Sequence, residues 1–543
     1  MQYRVLPFLA LLMTITLLGC GSSEETATVG RTEQPVTGGV YRRAFADSFV
    51  VLDPALIKDS NSHEVCRQIY DGLVEFDENA DVVPAIAREW SISEDKKVYT
   101  FHLRTDVRFH KTAGGKNSLN GGRHLKADDV LYSFKRLLRQ KEDSQASFFG
   151  VIRGGRDFSE GRASDISGIR VVSADTIEFF LEQPFAPFIS LLAMCNAFIV
   201  PSEDAEGDLK NMPVGTGPFR WVGRASDTII LEANDGYFRG RPWLDRLEFP
   251  VIKDETERFN AFMVGNLSQV EVPDSQYKNV RQDRKLSACL LETSLWGTNY
   301  LGFNTRTPPF DNPWVRKALN YAVDRETIIK LVLNDCVRSA HGVLPPGIPG
   351  FNKDLAGYSY DLRKARECLE KAGYPDGNGF PEIVLQYNRD EIHSRIAEFV
   401  LANLRDIGIR CVIRELEFGE HLKSVEEGRA SFFRMGWTVD YPDPDSFLYA
   451  LFHSSNIDNG YNFSGLNLPA LDALLEKARF ETEMQNRVQL YQQAEKLIIE
   501  EAPWVFLYFY KLHILHQPQV RGIAIGPMGE ALLQYRKIWF LPR

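Results

Sequence analysis

The chain has 543 residues, and its net charge at pH 7 is −10. This acidic balance, without any basic tract, excludes the electrostatic pattern of a nucleic-acid-binding protein. Hydrophobic residues make up 44% of the chain and aromatic residues 12%, enough for large cores, and the length allows about two to four domains.

The first twenty residues have the pattern of a secretory signal. Arg4 precedes an apolar stretch over 5–18, and the stretch leads into Leu-Leu-Gly-Cys at 17–20. A membrane-spanning helix needs about 20 apolar residues, so this shorter run with small residues at its end predicts a signal peptide over 1–19. No second long apolar run follows, and we expect the remainder to be a soluble body.

Three elements are predicted in the next part of the chain. Tyr99, Phe101 and Leu103 alternate with polar residues, which predicts a strand with one buried face. The segment 111–123 is rich in Gly, Asn, Ser and Lys and is typical of a flexible surface loop. Apolar residues at helical spacing then predict a helix over 127–139.

A helix start is predicted near residue 312. Asp311 or Asn312 is the capping residue, and Pro313 falls in the first turn, where proline suits a helix. The apolar stripe that begins at Trp314 and continues to Val323 is predicted to be core.

The C-terminal part is predicted to hold a long helix followed by a buried strand. Helical spacing extends over 468–499 and stops before Pro503, and the aromatic run 504–510 is typical of a strand with both faces buried. Helices and strands therefore alternate in both halves of the chain, which favours α/β lobes.

Seven cysteines occur, and one of them is Cys20. The other six are Cys66, Cys195, Cys289, Cys336, Cys368 and Cys411. An even number allows disulfides in an oxidising compartment, and buried free thiols are the alternative. No two cysteines are spaced as a CxxC pair, so neither a metal site nor a redox motif is expected.

A series of short motifs follows a fixed order along the chain. They are Leu-Asp-Pro at 52–54, Tyr-Asp-Gly-Leu at 70–73, Ala-Arg-Glu-Trp at 87–90, Ala-Asp-Asp-Val at 127–130, Gly-Thr-Gly-Pro-Phe at 215–219, Val-Arg-Lys-Ala-Leu at 315–319, Ala-Val-Asp-Arg at 322–325, Ala-Gly-Tyr-Pro at 372–375 and Trp-Thr-Val-Asp-Tyr at 437–441. In this order they resemble the bacterial extracellular solute-binding proteins of the dipeptide and oligopeptide ABC importer class, family 5. Leu-Leu-Gly-Cys similarly resembles a lipobox, in which Cys20 is acylated.

The resemblance implies an α/β fold of the two-lobed periplasmic-binding-protein type, class II, with an additional inserted domain and a central cleft at a hinge. The expected divisions are a lipidated flexible tether over 20–38, lobe I over 39–60, 175–275 and 510–543, inserted domain II over 61–174, and lobe III over 276–509. Proteins of this kind close around a ligand because contacts to both lobes at once exist only in the closed form.

The resemblance also implies candidate ligand-binding residues. Asp440 matches the family position whose carboxylate pairs with the free α-amine of a peptide, although a turn-capping role in its Pro-rich loop is the alternative. Arg434 matches a position that reaches the carboxylate of a short peptide, with a solvated surface arginine as the alternative. Trp437 and Phe418 are expected to wall the side-chain pocket or to pack in the core, and Tyr441 completes the predicted set.

The function implied is that of a substrate-binding lipoprotein of an ABC importer. It would be exported to the periplasm or cell surface and be held at a membrane through Cys20. It would act as a monomer and deliver a small solute, which we expect to be a peptide, to permease subunits. Neither a cofactor, a metal nor a nucleic acid is expected. A non-peptide cargo or a signal molecule remains the alternative, and an exported hydrolase finds no support, because neither a Gly-x-Ser-x-Gly nor a His-Glu-x-x-His motif occurs.

Overall fold

A computed structural model describes residues 34–47, 50–140, 145–458 and 460–542. The expected signal peptide, Cys20 and most of the expected tether lie outside these residues. In the described part of the chain, no helix is both long enough and apolar enough to span a membrane.

The described residues contain strands that form three main sheets. The strands are β1 (Val40–Arg42), β2 (Val74–Phe76), β3 (Val82–Pro84), β4 (Ala87–Ile92), β5 (Val98–Leu103), β6 (Thr112–Ala113), β7 (Lys116–Asn117), β8 (Ile169–Ser173), β9 (Thr176–Phe180), β10 (Phe219–Ala225), β11 (Thr228–Ala233), β12 (Arg246–Pro250), β13 (Gln269–Glu271), β14 (Leu290–Phe303), β15 (Arg338–Ser339), β16 (Ile383–Asn388), β17 (Cys411–Leu416), β18 (Phe432–Thr438), β19 (Trp504–His516), β20 (Val520–Arg521) and β21 (Trp539–Phe540).

The helices cover the faces of these sheets. They are α1 (Ser60–Ile69), α2 (Ala127–Leu138), α3 (Gly155–Ser159), α4 (Phe188–Leu191), α5 (Ser202–Ala205), α6 (Glu255–Met263), α7 (Asp274–Gln282), α8 (Arg284–Ser287), α9 (Pro313–Ala322), α10 (Arg325–Leu331), α11 (Leu362–Lys371), α12 (Glu391–Arg405), α13 (Phe418–Glu426), α14 (Asp445–Phe452), α15 (Pro469–Phe480) and α16 (Met484–Glu501).

The first sheet has the strand order β1-β12-β11-β10. Strand β1 runs parallel to β12, and the other neighbours are antiparallel. Leu231 and Leu247 lie in its core together with Val65 of α1 and Tyr535 from the C-terminal part of the chain. Segments from both ends of the described sequence therefore stabilise this sheet.

The second sheet has the antiparallel strand order β4-β5-β9-β8. It confirms the strand predicted at residues 99–103, since Tyr99, Phe101 and Leu103 of β5 are buried. The helix predicted over 127–139 is also confirmed as α2, with Arg139 as its C-terminal cap residue. Phe134 of α2 packs on the sheet, and its ring centroid lies 5.0 Å from that of Phe179.

The largest sheet has the strand order β13-β19-β14-β18-β16-β17, and β15 pairs with β19. Residues of β19 alternate between two cores, because Trp504 and Phe506 pack on one face while Val505 and Leu507 pack on the other. The prediction of a strand with both faces buried is therefore confirmed, and the strand continues to His516.

Helix α9 confirms the predicted start and corrects part of the predicted core. The side chain of Asn312 accepts a hydrogen bond from the backbone N–H of Trp314 at 2.9 Å, as expected of a capping residue. Trp314 itself is exposed rather than core, and the ammonium groups of Lys317 and Lys371 lie 4.9 Å and 4.5 Å from its ring centroid. The two ammonium groups stabilise the exposed indole of Trp314 through cation–π interactions.

The single long helix predicted over 468–499 is wrong, because the chain forms two helices there. Helix α15 ends at Phe480 and α16 begins at Met484. Leu475 of α15 and Leu490 of α16 are buried in the same core. The break lets both helices place an apolar face on one core, which a continuous straight helix could not do.

Three of the expected domain limits separate segments that pair in the sheets. A limit at 174/175 would separate β8 from β9, which are hydrogen-bonded neighbours. A limit at 275/276 would assign β13 to lobe I, although β13 pairs with β19, and a limit at 509/510 would cut through β19.

The segment 111–123 is an ordered hairpin rather than the flexible loop predicted from its composition. Strands β6 and β7 pair within it. The carboxylate of Asp204 accepts hydrogen bonds from the backbone N–H groups of Leu119 and Asn120 at 2.8 Å and 3.1 Å, which anchors the segment.

The six cysteines among the described residues are free thiols. Of the two alternatives that the sequence left open, disulfides or free thiols, the structure therefore has free thiols.

Candidate functional site

A cavity of about 360 Å³ lies between two groups of chain segments. Residues within 57–64, 194–196 and 527–532 line one side and pack with the cores of the first and second sheets. Residues 295–296 and 438–440, which belong to or follow strands of the largest sheet, line the other side. Its volume lies in the range of about 300–1,000 Å³ that is usual for small-molecule sites.

Asp440 lies in the wall of this cavity, as the predicted binding role requires. It follows β18 and is half-buried, and hydrogen bonds hold the backbone at residues 439 and 440. The N–H of Val439 donates to the carbonyl oxygen of Trp296 at 2.9 Å, and the N–H of Asp440 donates to Ser446 Oγ at 3.2 Å. These two bonds fix the main chain that carries Asp440 at the cavity wall.

The residues after Asp440 have structural roles, and they include the predicted site residue Tyr441. Tyr441 is buried, and its hydroxyl donates to Asp445 at 2.7 Å, so its side chain lies in the core and not in the cavity. Asp443 forms a bidentate ion pair with Arg487, with distances of 2.6 Å and 2.7 Å. The structure therefore does not bring Tyr441 to the lining of this cavity.

Arg434 is half-buried on β18 and does not line the cavity. Its guanidinium lies 3.4 Å from Asn388 Oδ1 and 3.4 Å from Tyr510 Oη, which are long distances for hydrogen bonds. Its Nε has no hydrogen-bond partner among the described residues. The structure therefore does not bring Arg434 and Asp440 to the same cavity wall.

Trp437 and Phe418 also lie outside the cavity lining. Trp437 packs against the core beneath the largest sheet, and its ring centroid lies 4.9 Å from that of Tyr461. Phe418, the first residue of α13, is 59% exposed. Trp437 is thus partly buried against this core and Phe418 lies at the surface, and the structure places neither in the cavity lining.

The aromatic wall of the cavity is Trp296, which the sequence prediction missed. The register between β14 and β19 shifts between Ser294 and Thr298, so Trp296 leaves the ladder. The neighbouring Gly297 permits this bulge, because a Cβ there would meet the ring of Tyr510 at 2.8 Å. A glycine inside a strand pattern is the signal that could have indicated the bulge.

A buried charged network forms another part of the wall. Arg43 Nε lies 3.0 Å from Glu64 Oε1, and Arg43 Nη2 lies 2.6 Å from Glu530 Oε2. The hydroxyl of Tyr535 also donates to Glu64. Burial raises the pKa of Glu64, Arg43 opposes that rise, and Glu530 adds to it. One guanidinium is thus shared by two carboxylates at the cavity wall.

Residues 81–459 match the family described as bacterial extracellular solute-binding proteins, family 5 Middle. The chain belongs to this family. Members of this family bind solutes and are not defined by a catalytic reaction. The cavity lies where two parts of the chain face each other, as expected of a solute-binding cleft.

Two related proteins cover nearly the same length as this chain. Heme-binding protein A of Haemophilus influenzae is 32% identical over 535 residues, which are 95% of this chain and 96% of that protein. The dipeptide-binding protein of Escherichia coli is 32% identical over 495 residues, which are 88% of this chain and 91% of that protein.

Solved structures of family members share the fold. The ABC transporter-associated periplasmic binding protein DppA of Helicobacter pylori, in complex with the peptide STSA, has a TM-score of 0.78 and 29% identity and covers 93% of this chain and 99% of that one. The Escherichia coli murein tripeptide binding protein MppA has a TM-score of 0.80 and 25% identity and covers 94% and 100%. The predicted two-lobed α/β fold is confirmed.

Proposed function

We propose that this protein is the solute-binding component of an ABC importer, captures a short peptide in the cavity and delivers it to a membrane permease. The observation that carries the proposal is the carboxylate of Asp440 in the cavity wall. Related proteins support it, because one is named a dipeptide-binding protein and another is solved with a peptide.

The physical basis is charge pairing in a confined site. An ammonium group that leaves water for a cavity needs an opposite charge, because an unpaired buried ion costs several kcal/mol. The α-amine of a peptide supplies that ammonium group, and Asp440 supplies the carboxylate. A peptide that also touches the facing wall is bound most tightly when both walls close on it, so binding shifts the population toward the closed form.

Export and anchoring complete the proposal. The sequence of residues 1–19 supports a signal peptide, and Leu-Leu-Gly-Cys supports lipidation at Cys20. Several acyl chains give lasting membrane attachment, whereas one chain gives only marginal binding. The protein then acts as a non-catalytic, monomeric receptor beside its permease. Mass spectrometry of the membrane fraction tests the lipid, and Cys20→Ser should release the mature protein from the membrane.

Calorimetric titration of di- to pentapeptides, each with a free and with an acetylated amino terminus, tests the peptide assignment. A charge-assisted hydrogen bond contributes about 1.5–3 kcal/mol, so acetylation or Asp440→Asn should weaken binding about ten- to hundredfold. Asp458→Asn is the matched control, since Asp458 is 82% exposed on the surface. Equal affinities for free and acetylated peptides would remove Asp440 as the amine anchor.

Haem is a second candidate ligand, because a relative that matches 95% of this chain is a heme-binding protein. The same titration therefore includes haemin. Binding of haemin without binding of any peptide would replace the peptide proposal.

Peptide uptake in cells that lack the gene tests the importer role. Unaltered uptake together with a lost signalling response would assign the protein to signal reception instead.

A further inference from the structure

Glu271 is the last residue of β13 and faces the same cavity as Asp440. Its backbone pairs with Ile514 of β19, which fixes the place of the side chain at the cavity wall. Glu271 is solvent-accessible within the cleft. Among the described residues, its carboxylate has neither a hydrogen-bond partner nor an ion-pair partner.

The nearest cation does not neutralise Glu271, because other carboxylates already use it. Arg43 makes its close contacts with Glu64 and Glu530, at 3.0 Å and 2.6 Å. Gln269, two residues before Glu271, donates to Glu530 and accepts from Tyr41. The guanidinium of Arg43 therefore pairs with the carboxylates of Glu64 and Glu530. The third carboxylate of this group, that of Glu271, faces the cavity.

The described lining residues include more carboxyl groups than cationic groups. His63 adds no positive charge, because burial, together with the nearby Arg67, lowers its pKa to about 3. The ionisable lining residues are the carboxylates Asp59, Glu64, Glu271, Asp440 and Glu530 and the cations Arg43 and Lys58.

The surroundings of Glu271 disfavour its ionised form unless a cation lies beside it. Although solvent reaches Glu271 from the cleft, the surrounding protein atoms desolvate its carboxylate and raise its pKa to about 7; Glu530 and Asp274 add to the rise, and Arg43 and Arg258 oppose it. Arg258 lines an adjoining cavity of about 140 Å³, but its guanidinium donates to the carbonyl oxygens of Ile252 and Lys253. A ligand cation would pair with this carboxylate and remove the cost of ionising it.

We infer that Glu271 binds a second cationic group of the ligand, which on a peptide is a lysine or arginine side chain near the amino terminus. The inference rests on the proposed function, since Asp440 takes the α-amine and Glu271 takes the side chain. The structure thereby assigns the protein a preference for basic peptides.

The test uses the mature protein and three pairs of tripeptides in calorimetric titrations. Each pair carries either lysine or the uncharged, similarly shaped norleucine at position one, two or three of trialanine. We expect lysine to improve the affinity about tenfold or more at one position at least, and Glu271→Gln to remove that preference without weakening the norleucine peptides. Glu398→Gln, an exposed carboxylate on α12, is the control variant.

Each outcome decides a different part of the inference. Equal affinities for lysine and norleucine at all three positions would overturn the preference for basic peptides but leave the peptide assignment intact. A lysine preference that persists in Glu271→Gln would overturn the role of Glu271. Retained binding of norleucine peptides shows that the variant is folded. Failure of all peptides to bind would overturn both the inference and the proposed function.

Discussion

Replacement of Asp443 by asparagine tests the ion pair that fixes the turn after Asp440. The side chains of Asp443 and Arg487 are 9% and 2% exposed, and two hydrogen bonds of 2.6 Å and 2.7 Å join them. Asparagine keeps the shape but leaves the guanidinium without a counter-charge. Removing one partner of such a buried pair costs about 3–5 kcal/mol.

Urea unfolding followed by tryptophan fluorescence measures this loss, because Trp504 lies in the same core as Tyr491, which also contacts Arg487. The surface pair of Asp458 and Arg306, 3.5 Å apart, is the control, and Asp458→Asn should cost less than about 1 kcal/mol. A loss for Asp443→Asn no larger than that of the control would refute the reasoning. The double variant Asp443→Leu/Arg487→Met should lose less than the single variant, because no buried charge is left unpaired.

Two further predictions concern the pH dependence of stability. Burial alone would raise the pKa of Glu75, but Arg536, Arg67 and Arg239 lower it to about 2. The ionised Glu75 therefore stabilises the folded state by about 3 kcal/mol above pH 4.5, and this contribution is lost as the pH falls through 2. Glu75→Gln should lower Tm at pH 7, and this difference from the unmodified protein should shrink toward pH 2. Burial raises the pKa of Glu495 to about 7. Because a raised pKa costs stability as the pH rises from 4.5 through 7, Glu495→Gln should raise Tm at pH 8 and change it little at pH 4.5.

Thermal unfolding at several pH values checks both predictions. A deficit of Glu75→Gln that is independent of pH would show that packing, and not the three guanidinium groups, accounts for it. The amide oxygen of Glu495→Gln can still accept from the N–H groups of Val343 and Leu344, which donate to Glu495 at 2.8 Å and 2.9 Å. A lower Tm of that variant at pH 8 would contradict the expected cost of a buried charge.

Local patterns predicted the elements whose packing follows their own sequence. Strand β5 and helix α2 were predicted correctly, because their apolar residues recur at the period of the element that they form. The break between α15 and α16 was missed, since the apolar spacing continues across it. Only the need of both helices to reach one core decides that the chain turns there.

The candidate site was predictable only in part. Asp440 stands in a continuous motif, and the cavity contains it, whereas Arg434, Trp437, Phe418 and Tyr441 lie outside the lining. Neighbours in sequence on β18 alternate between two faces of a sheet, so a continuous motif cannot bring all its side chains to one wall. Trp296 reaches the cavity through a bulge, which depends on the register of two strands.

The sequence by itself determined the family and the α/β class, because ordered motifs and hydrophobic periodicity are properties of contiguous residues. Only the tertiary structure decided the charge of the cleft. Arg43, Glu64, Glu271 and Glu530 come from four distant parts of the chain and meet through the pairing of β1 with β12 and of β13 with β19. No local pattern encodes that meeting, since the distances depend on which strands become neighbours.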